Sequence, residues 1–560
     1  MSDASQIGPD YRRSSLERLK TESFDVVVVG GGVTGCGAAL DAASRGLKVA
    51  MVEQRDFAAG TSSRSSKMFH GGLRYLEQFE FGLVREALRE RNLMVSTLCP
   101  FLATPTRFLY PLTRRFWERP YVGAGVMLYD LLARLGGNTL QGHSHHSKMG
   151  ALALAPCFKP DALVGAVAYS DVVVDDARHT SILARTAASH GAVMATSARL
   201  IALIPGSGSA SRVVVRDLES ADEFEVRTSV VLNTTGVWTD EVEGLAGDRK
   251  ANVRASKGIH ILVPGASLDM ETGVILRTEK SVLFIIPWKS HWIIGTTDTD
   301  WNLRKAHPAA SKTDIDYLLE NVNRVLRTAL THHDIVGVYA GLRPLLRGES
   351  EATSKLSREH QVRRVKPGFI SVAGGKYTTY RVMAMDAIDA VVSELGRSAP
   401  ESHTATIPLV GAGTEIERGL ASGLTRDRFE HLLHRYGDRI GDIFDLIDGD
   451  PGLGQEIKGS APYLRAEAVY GVTHEGALHL DDILTRRTRI SIETRHRGTD
   501  SALEVAQLMA GPLGWSQGTI DREVEHYVAR VAAERDSQSK PDDATADAAR
   551  MGAPDVRLGG

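Results

Sequence analysis

The sequence predicts a mixed α/β fold that is discontinuous along the chain, with an inserted α+β domain and a C-terminal helical domain. Three observations support this prediction. Residues 24–35 form an apolar run that leads directly into a glycine-rich turn. Short apolar runs of strand length then recur as far as about Val392. Beyond Pro408 helical spacing replaces them, as in residues 426–436 and 502–509.

The glycine-rich turn has the spacing G-x-G-x-x-G at Gly30, Gly32 and Gly35, and a helix-like segment follows it. Gly30 allows a tight turn, Gly32 lets the backbone approach a pyrophosphate, and Gly35 lets helix and strand pack closely. A second apolar run ends at Glu53, where a carboxylate can accept hydrogen bonds from ribose hydroxyls. This order of elements predicts a Rossmann-like dinucleotide site, and the alternative is a glycine turn that holds no ligand.

Two later segments predict further strands of the same domain. Residues 230–238 form an apolar run that ends in a polar turn containing Gly236, and residues 369–381 repeat the pattern around Gly375. Open α/β sheets place their ligands at such carboxyl ends of strands. Since a bound flavin must be enclosed by several segments, a discontinuous domain of this kind favours FAD over NAD.

The pattern predicts the following domain boundaries. A discontinuous cofactor domain occupies residues 24–392, in pieces at about 24–75, 160–250 and 359–392. A substrate or capping domain fills about 76–159 and 251–358. A helical domain follows at 409–535, for which dimerisation, a lid or a partner surface all remain open. Residues 1–23 and 536–560 are polar and poor in large apolar side chains, so we expect disordered tails.

The composition excludes several classes of protein. The 560 residues are 42% hydrophobic and 24% charged, with a net charge of -3, which gives no case for nucleic acid binding. The three cysteines are far apart, so neither a disulfide scaffold nor a cysteine zinc site is expected. The start of the chain lacks the apolar core of a signal peptide, and no run is long enough to span a bilayer. We expect a cytoplasmic protein or one attached to the inner face of a membrane.

A series of motifs resembles one family. These motifs are residues 61–67 (TSSRSSK), 70–77 (HGGLRYLE), 175–178 (DDAR), 257–260 (KGIH), 294–298 (IGTTD), 341–344 (GLRP) and 374–381 (GGKYTTYR). Together and in this order they resemble the FAD-dependent glycerol-3-phosphate dehydrogenases, from about Phe24 to about Val528. The resemblance implies FAD as the cofactor and sn-glycerol 3-phosphate as the substrate.

The substrate would be a small dianionic phosphate ester, which needs several fixed N–H donors. The resemblance places Arg74, Arg343 and Lys376 by the flavin, and Arg358 matches an arginine near the phosphate. We expect Arg74, Tyr75 and Arg358 to bind the substrate. A solvated surface charge is the alternative for each basic residue.

Oxidation of the secondary alcohol requires a hydride acceptor, which the cofactor supplies, and a base for the hydroxyl proton. His260 is the leading candidate for this base, because imidazole titrates near neutral pH. A histidine that only positions the substrate is the alternative. Arg343 or Lys376 could instead stabilise the developing alkoxide.

Hydroxyls and backbone groups near these motifs are expected to bind the cofactor, although turn formation alone would also favour serine and threonine there. His70 could orient the loop beside the flavin or be structural. The cofactor candidates outside the glycine turn and Glu53 are Thr61, Ser62, Ser63, Ser66, His70, Gly71, Gly236, Gly375, Thr378 and Thr379.

Residues 106–135 combine arginines with aromatic residues before an apolar helical segment. This mixture suits a membrane interface, and the family implies a peripheral membrane enzyme that reduces quinone. An arginine-capped core helix is the alternative. His143, His145 and His146 have no carboxylate or cysteine at ligand spacing, so a solvated loop without a metal is expected.

Three functions therefore remain for the sequence. The first is oxidation of sn-glycerol 3-phosphate to dihydroxyacetone phosphate, with FAD reduced and then reoxidised by quinone. The second is a glycerol-3-phosphate oxidase that uses O2 and releases H2O2. The third is a flavin-binding redox sensor without turnover. A homodimer is one expected assembly.

Overall fold

The computed structural model describes residues 4–114, 116–137, 140–204, 211–248, 252–279, 282–347, 359–413, 424–553 and 555–557. The described chain forms two large sheets and a separate group of C-terminal helices. The α/β fold class, with an inserted domain and a C-terminal helical domain, is confirmed.

Eight strands in the described ranges form the first sheet: β1 (Ser23–Val29), β2 (Val49–Val52), β7 (Val193–Ala195), β8 (Ala198–Ile204), β9 (Ser211–Asp217), β10 (Glu223–Asn233), β17 (His360–Lys366) and β18 (Phe369–Gly374). Its centre is parallel, in the order β18-β10-β1-β2-β7. Because both faces of a parallel sheet are covered, β1 is a nearly continuous valine run that is buried on both sides.

Helices cover one face of this sheet. Val26 and Val28 face a core formed with α2 (Val33–Ser44), α6 (Asp176–Ser189) and α9 (Tyr380–Leu395). The buried helix α2 is rich in alanine, and these small side chains let it lie close to the sheet. On the opposite face the sheet packs against α1 (Pro9–Thr21) and α7 (Thr239–Leu245).

Ten strands of the described chain form the second sheet: β3 (Met68–Phe69), β4 (Thr104–Leu112), β5 (Ser144–Ser147), β6 (Gly165–Val173), β11 (Val253–Pro264), β12 (Gly273–Arg277), β13 (Val282–Trp288), β14 (His291–Gly295), β15 (Thr299–Asp300) and β16 (Gly337–Leu346). Most of its pairs are antiparallel. One face packs on α5 (Lys148–Leu154) and α8 (Lys312–Asn323), and the other on α3 (Phe81–Leu93) and α4 (Glu118–Leu135).

The C-terminal helices are α10 (Arg426–Tyr436), α11 (Ile440–Gly449), α12 (Arg465–Thr473), α13 (Leu480–Asp482), α14 (Ile490–Glu493), α15 (Ala502–Leu513), α16 (Gln517–Ser537) and α17 (Asp543–Arg550). Buried ion pairs attach them to the first sheet and its helices. Arg487 Nη2 lies 2.7 Å from Asp56 Oδ1, and Arg178 Nη2 lies 2.7 Å from Glu475 Oε1. Removing one partner of such a pair would leave a buried charge without compensation.

Both tails differ from the sequence prediction, which was wrong where it expected disorder. Residues 9–21 form α1, whose Leu19 is fully buried against the first sheet. Residues 543–550 form α17, in which Ala546 is buried. Ion pairs such as Arg12–Asp217 also hold these polar segments. The terminal helices can therefore be ordered although they bury only a few apolar side chains.

Two further expectations are corrected by the strand pairing. The cofactor domain was expected to resume at about residue 160, but Gly165–Val173 pairs with β4 in the second sheet. The histidines near residue 145 were expected in a solvated loop. His145 and His146 lie instead in edge strand β5, paired with β6, whereas His143 precedes this strand. Among the described helices, none is long and apolar enough to cross a membrane.

Candidate active site

A cavity of about 680 Å³ lies between the two sheets. The glycine turn after β1, the residues after β2 and the loop 60–66 form one wall. Strands β11 and β16 and the turn after β18 form the other. Volumes of this size are typical of small-molecule and cofactor sites. The cavity also lies at the carboxyl ends of the parallel strands, where open α/β sheets bind ligands.

The glycine turn has the backbone shape that a pyrophosphate site requires. Gly30 has a φ of +110°, which favours glycine strongly. A β-carbon on Gly35 would lie 1.9 Å from the carbonyl oxygen of Gly30, so only glycine lets α2 start this close to the turn. The first residues of α2, Val33 and Thr34, line the cavity, and the helix dipole favours an anion at this end of the helix.

Two side chains hold this turn in place. The backbone N–H of Gly31 donates to Glu53 Oε2 at 2.6 Å, and burial raises the pKa of Glu53. The backbone N–H of Val33 donates to Ser62 Oγ at 2.9 Å. The turn, the end of β2 and the loop after it are therefore one hydrogen-bonded unit. Glu53 and Ser62 both line the cavity.

His260 faces the cavity from β11. Its neighbours Ile259 and Ile261 belong to the core on the other side of the sheet, because side chains alternate along a strand. The imidazole is 2% exposed and stacks on Tyr339 with 4.7 Å between ring centroids. Burial, with the nearby charges of Arg343 and Lys67, holds the pKa of His260 well below its ordinary value. The ring is therefore neutral at physiological pH and able to accept a proton.

One nitrogen of His260 has a fixed contact. Its Nε2 lies 2.9 Å from Ser66 Oγ, in the loop that also carries Thr61. Its Nδ1 is buried and has no hydrogen-bond partner within the described chain. A buried nitrogen without a partner costs free energy, and a ligand in the cavity is one way to recover it.

Arg343 reaches the same cavity from β16, the strand next to β11. Its Nη2 donates to Thr296 Oγ1 at 3.0 Å and to the carbonyl oxygen of Thr297 at 3.1 Å. A β-carbon on Gly258 would lie 2.3 Å from this nitrogen. Gly258 thus leaves the space that the guanidinium occupies, and the threonines fix its plane.

Two more cationic groups lie side by side in this cavity. Lys376 Nζ is 3.7 Å from the ring centroid of Tyr75, and Arg74 lies over the same ring at 5.7 Å. All three residues line the cavity. The aromatic face stabilises the two cations beside each other, and the same cavity contains Arg343 and the neutral imidazole of His260.

Most of the residues predicted for the site line this one cavity. They are Gly30, Gly32, Glu53, Thr61, Ser62, Ser66, His70, Arg74, Tyr75, Gly236, His260, Arg343, Gly375, Lys376 and Thr378. Thr61 Oγ1 donates to the carbonyl oxygen of Leu342 at 2.6 Å, and Thr378 Oγ1 accepts from the backbone N–H of His70 at 3.1 Å.

Four predicted cofactor residues do not line the cavity. Gly35 lies behind the turn, Thr379 is buried at the start of α9, and Ser63 faces a separate small cavity. Gly71 packs against Leu88 and Tyr129, since a β-carbon there would lie 2.5 Å from Leu88 Cδ2. Arg358, predicted to contact the substrate phosphate, lies outside the described residues.

The sequence analysis missed residues that support the site from behind. Lys67 is fully buried, and its Nζ donates to Asp176 Oδ1 at 2.8 Å and to the carbonyl oxygen of Ser63 at 3.0 Å. Its ammonium also lies 4.8 Å from the ring centroid of Tyr339. Lys67 and Asp176 belong to two of the motifs quoted above, and this membership could have identified them from the sequence. Nothing in the sequence marked Tyr339.

The fold and this cavity define a flavin-dependent oxidoreductase. The residues present fit FAD, because the glycine turn, Glu53 and the start of α2 provide a dinucleotide cradle and the rest of the cavity extends to the cationic groups. The sequence pattern of the family described as FAD dependent oxidoreductase matches residues 25–381. A second pattern, the C-terminal domain of alpha-glycerophosphate oxidase, matches residues 402–520.

Similarities to individual proteins identify the family within this class. Glycerol-3-phosphate dehydrogenase 2 of Mycobacterium tuberculosis is 56% identical over 563 aligned residues, covering 99% of this chain and 96% of the relative. The mitochondrial glycerol-3-phosphate dehydrogenase of Mus musculus is 34% identical, covering 92% of this chain and 74% of the relative. The crystal structure of the glycerol-3-phosphate dehydrogenase from Bacillus halodurans complexed with FAD superposes with a TM-score of 0.78 at 26% identity, covering 94% of this chain and 98% of that one. The chain belongs to the FAD-dependent glycerol-3-phosphate dehydrogenase family.

Proposed function

We propose that the protein oxidises sn-glycerol 3-phosphate to dihydroxyacetone phosphate with FAD and passes the electrons to a membrane quinone. The main support for this proposal is that one cavity is lined by the glycine turn, by three cationic side chains and by a neutral imidazole. These side chains are Arg74, Arg343, Lys376 and His260. A dianionic phosphate ester needs several cationic donors. An alcohol oxidation also needs a base for the hydroxyl proton.

The side chains divide this work by their position. Arg343 is fixed by Thr296 and Thr297, so its planar N–H donors are preorganised for an anionic oxygen of the substrate. Lys376 and Arg74 lie together over the ring of Tyr75 and add positive charge to the same cavity. Arg358 is proposed to contact the phosphate as well. Binding by these groups together would orient the carbon that is oxidised.

His260 is proposed to take the proton from the substrate hydroxyl. Its neutral form is favoured by burial, and Ser66 holds the ring by Nε2. When bound, FAD supplies the hydride acceptor. The imidazolium formed in the reaction would lie beside Tyr339, whose ring face attracts a cation.

A surface patch next to the cavity supports contact with a membrane. The exposed face of α4 carries Met127, Leu131 and Leu135, which are 60%, 54% and 69% exposed. Their spacing of four residues places them in one stripe. Further exposed large apolar side chains occur at the start of α4, namely Phe116, Trp117 and Tyr121, and at the start of α3, namely Phe79 and Phe81. Such a patch on a soluble monomer usually marks a docking surface.

The charges around this patch fit an interface only in part. Arg114 lies over the ring of Trp117 at 5.5 Å, an arrangement suited to the headgroup region. Arg107 and Arg119 instead donate to the carbonyl oxygens of Gly142 and His146 and hold the chain around β5. We infer that α4 and its neighbours lie on the inner face of the cytoplasmic membrane, where quinone is available.

The anaerobic visible spectrum tests the proposed reaction. The oxidised flavin band should bleach on addition of sn-glycerol 3-phosphate and return on addition of a soluble quinone. An unchanged band would contradict the substrate and favour a sensor role. Rapid return in air with stoichiometric H2O2, but not with quinone, would assign the oxidase reaction instead. Sedimentation of the same preparation would test the expected homodimer.

A further inference from the structure

Two small cavities lie behind the loop 61–66, on the side away from the main cavity. Their volumes are about 70 and 50 Å³. Both are lined by Arg64 from this loop, Arg486 from the C-terminal domain, Arg530 from α16 and Arg550 from α17. Arg64 also touches the main cavity, whereas Arg530 and Arg550 do not line it. The two cavities are therefore neighbouring parts of one arginine-rich region.

Positive charge exceeds negative charge in this region. Within the described chain, eight arginines and four carboxylates line the two cavities. Arg486 is neutralised, since it pairs with Asp56 at 2.6 Å and with Asp482. Arg530 shares Asp481 with Arg486. Arg550 shares Glu534 with Arg497, at 3.1 and 3.7 Å.

Arg64 is the least compensated of these groups. It forms no ion pair with any carboxylate of the described residues, and its Nη1 donates only to the carbonyl oxygen of Ala306 at 3.4 Å. Burial and the charges of Arg530 and Arg550, with those of Arg486 and Arg55, lower the pKa of Arg64 to about 9. Four cations therefore act on Arg64, and the carboxylate of Glu534 offsets them in part. A buried guanidinium in such surroundings is costly unless an anion compensates it.

Several N–H donors in the region have no acceptor. Nε of Arg530, Nε of Arg550 and Nη1 of Arg497 are buried and make no hydrogen bond within the described chain. Buried guanidinium groups in folded proteins are normally satisfied, and a buried donor without an acceptor destabilises the fold. Donors from three C-terminal positions thus border the two cavities.

We propose that these cavities bind an inorganic oxyanion of the size and charge of phosphate, held by Arg64, Arg530 and Arg550. A volume of about 70 Å³ exceeds the roughly 10–15 Å³ that a cavity needs to hold one water. Arginine donors are matched to the oxygens of a tetrahedral anion. The bound anion would join the loop 61–66, which lines the main cavity, to α16 and α17. It would stabilise the protein without taking part in the reaction.

Titration of the FAD-loaded protein with inorganic phosphate in chloride buffer tests this site. Since the main cavity should also bind phosphate, the titration is done in an Arg343→Gln background. We expect one remaining phosphate per chain and a saturable rise in Tm. Adding Arg530→Gln should weaken this binding by at least about tenfold. The matched control is Arg522→Gln, an exposed arginine on the same helix, which should leave it unchanged.

A third variant should change the affinity for phosphate in the opposite direction. Glu534→Gln removes a carboxylate from the cavity and should tighten phosphate binding. This variant tests the proposed site if Arg530→Gln fails to fold. The proposal is overturned by the absence of phosphate binding in the Arg343→Gln background. Equal binding in Arg530→Gln and Arg522→Gln would overturn it too, as would unchanged or weaker binding in Glu534→Gln.

Discussion

Ser66 Oγ and His260 Nε2 lie 2.9 Å apart, and this contact joins the loop after β2 to strand β11 of the second sheet. The two residues are 194 positions apart in the chain. The contact holds the imidazole at the wall of the cavity, stacked on Tyr339. The flavin-side loop and the proposed base are therefore positioned by one another.

The pH dependence of turnover should reflect the depressed pKa of His260. Because the neutral imidazole is the active form, lowering its pKa keeps the base available as pH falls through 6.5, the ordinary value for histidine. We expect kcat/KM to stay flat from pH 8 to below pH 6.5. A fall centred at pH 6.5 or above would contradict a buried, neutral base.

Replacing His260 by glutamine should lower kcat by about 10²–10⁴-fold, the usual contribution of general-base catalysis. FAD content and thermal stability should change little by comparison. Ser66→Ala is the matched variant, and it should shift the acid limb of the profile while it retains most of the rate. A His260→Gln enzyme with a wild-type rate would show that this residue only positions the substrate.

Arg343→Ala should leave FAD bound and reduce kcat/KM by about 10²-fold or more, because a fixed cationic partner of the substrate is lost. Arg343→Lys should recover only part of the loss, since lysine cannot reproduce the planar contacts to Thr296 and Thr297. The measurement is steady-state turnover normalised to the flavin absorbance. Loss of flavin with unchanged turnover per remaining flavin would contradict the assignment.

The glycine turn can be tested by adding one methyl group. A β-carbon on Gly35 would lie 1.9 Å from the Gly30 carbonyl oxygen, so Gly35→Ala should lose FAD and destabilise the protein by about 1–3 kcal/mol. Gly82→Ala in α3 is the control, because its β-carbon meets nothing within 4 Å. Flavin content and Tm of the two variants, measured together, provide the comparison. Equal flavin content would contradict the proposed role of the turn.

The sequence allowed local features to be predicted more readily than distant contacts. The turn at Gly30 was predictable because strand, glycines and helix are contiguous. The contact of His260 with Tyr339 was not, because it depends on the register between β11 and β16, in which these two residues are opposite each other. The helix α17 was missed for a related reason. Its polar composition gives little local signal, and distant partners such as Lys257, which pairs with Asp543, hold it in place.

The membrane surface can be tested with a single charge. Leu131→Glu places a carboxylate in the exposed stripe of α4 and should reduce binding to anionic phospholipid vesicles by about tenfold. Leu503→Glu in α15 is the matched control, because Leu503 is 50% exposed and Leu131 is 54% exposed. Co-sedimentation with vesicles measures both. Equal loss in the two variants, or none in either, would place the docking surface elsewhere.

The attachment of the C-terminal domain should weaken at alkaline pH through His479. Its Nε2 and Nδ1 lie 2.9 Å from carboxylate oxygens of Glu219, in the first sheet's β9–β10 turn, and of Glu523, in α16. Burial opposes the charged form, but these two hydrogen bonds prevail and raise the pKa of His479 to about 9. A raised pKa means that the stabilisation is fully present below the unfolded value of 6.5 and is lost as pH rises through about 9. We therefore expect Tm to fall between pH 6.5 and 9 more steeply in the wild type than in His479→Gln, which cannot titrate. Parallel Tm profiles for the two proteins would show that this imidazolium does not hold the domains together.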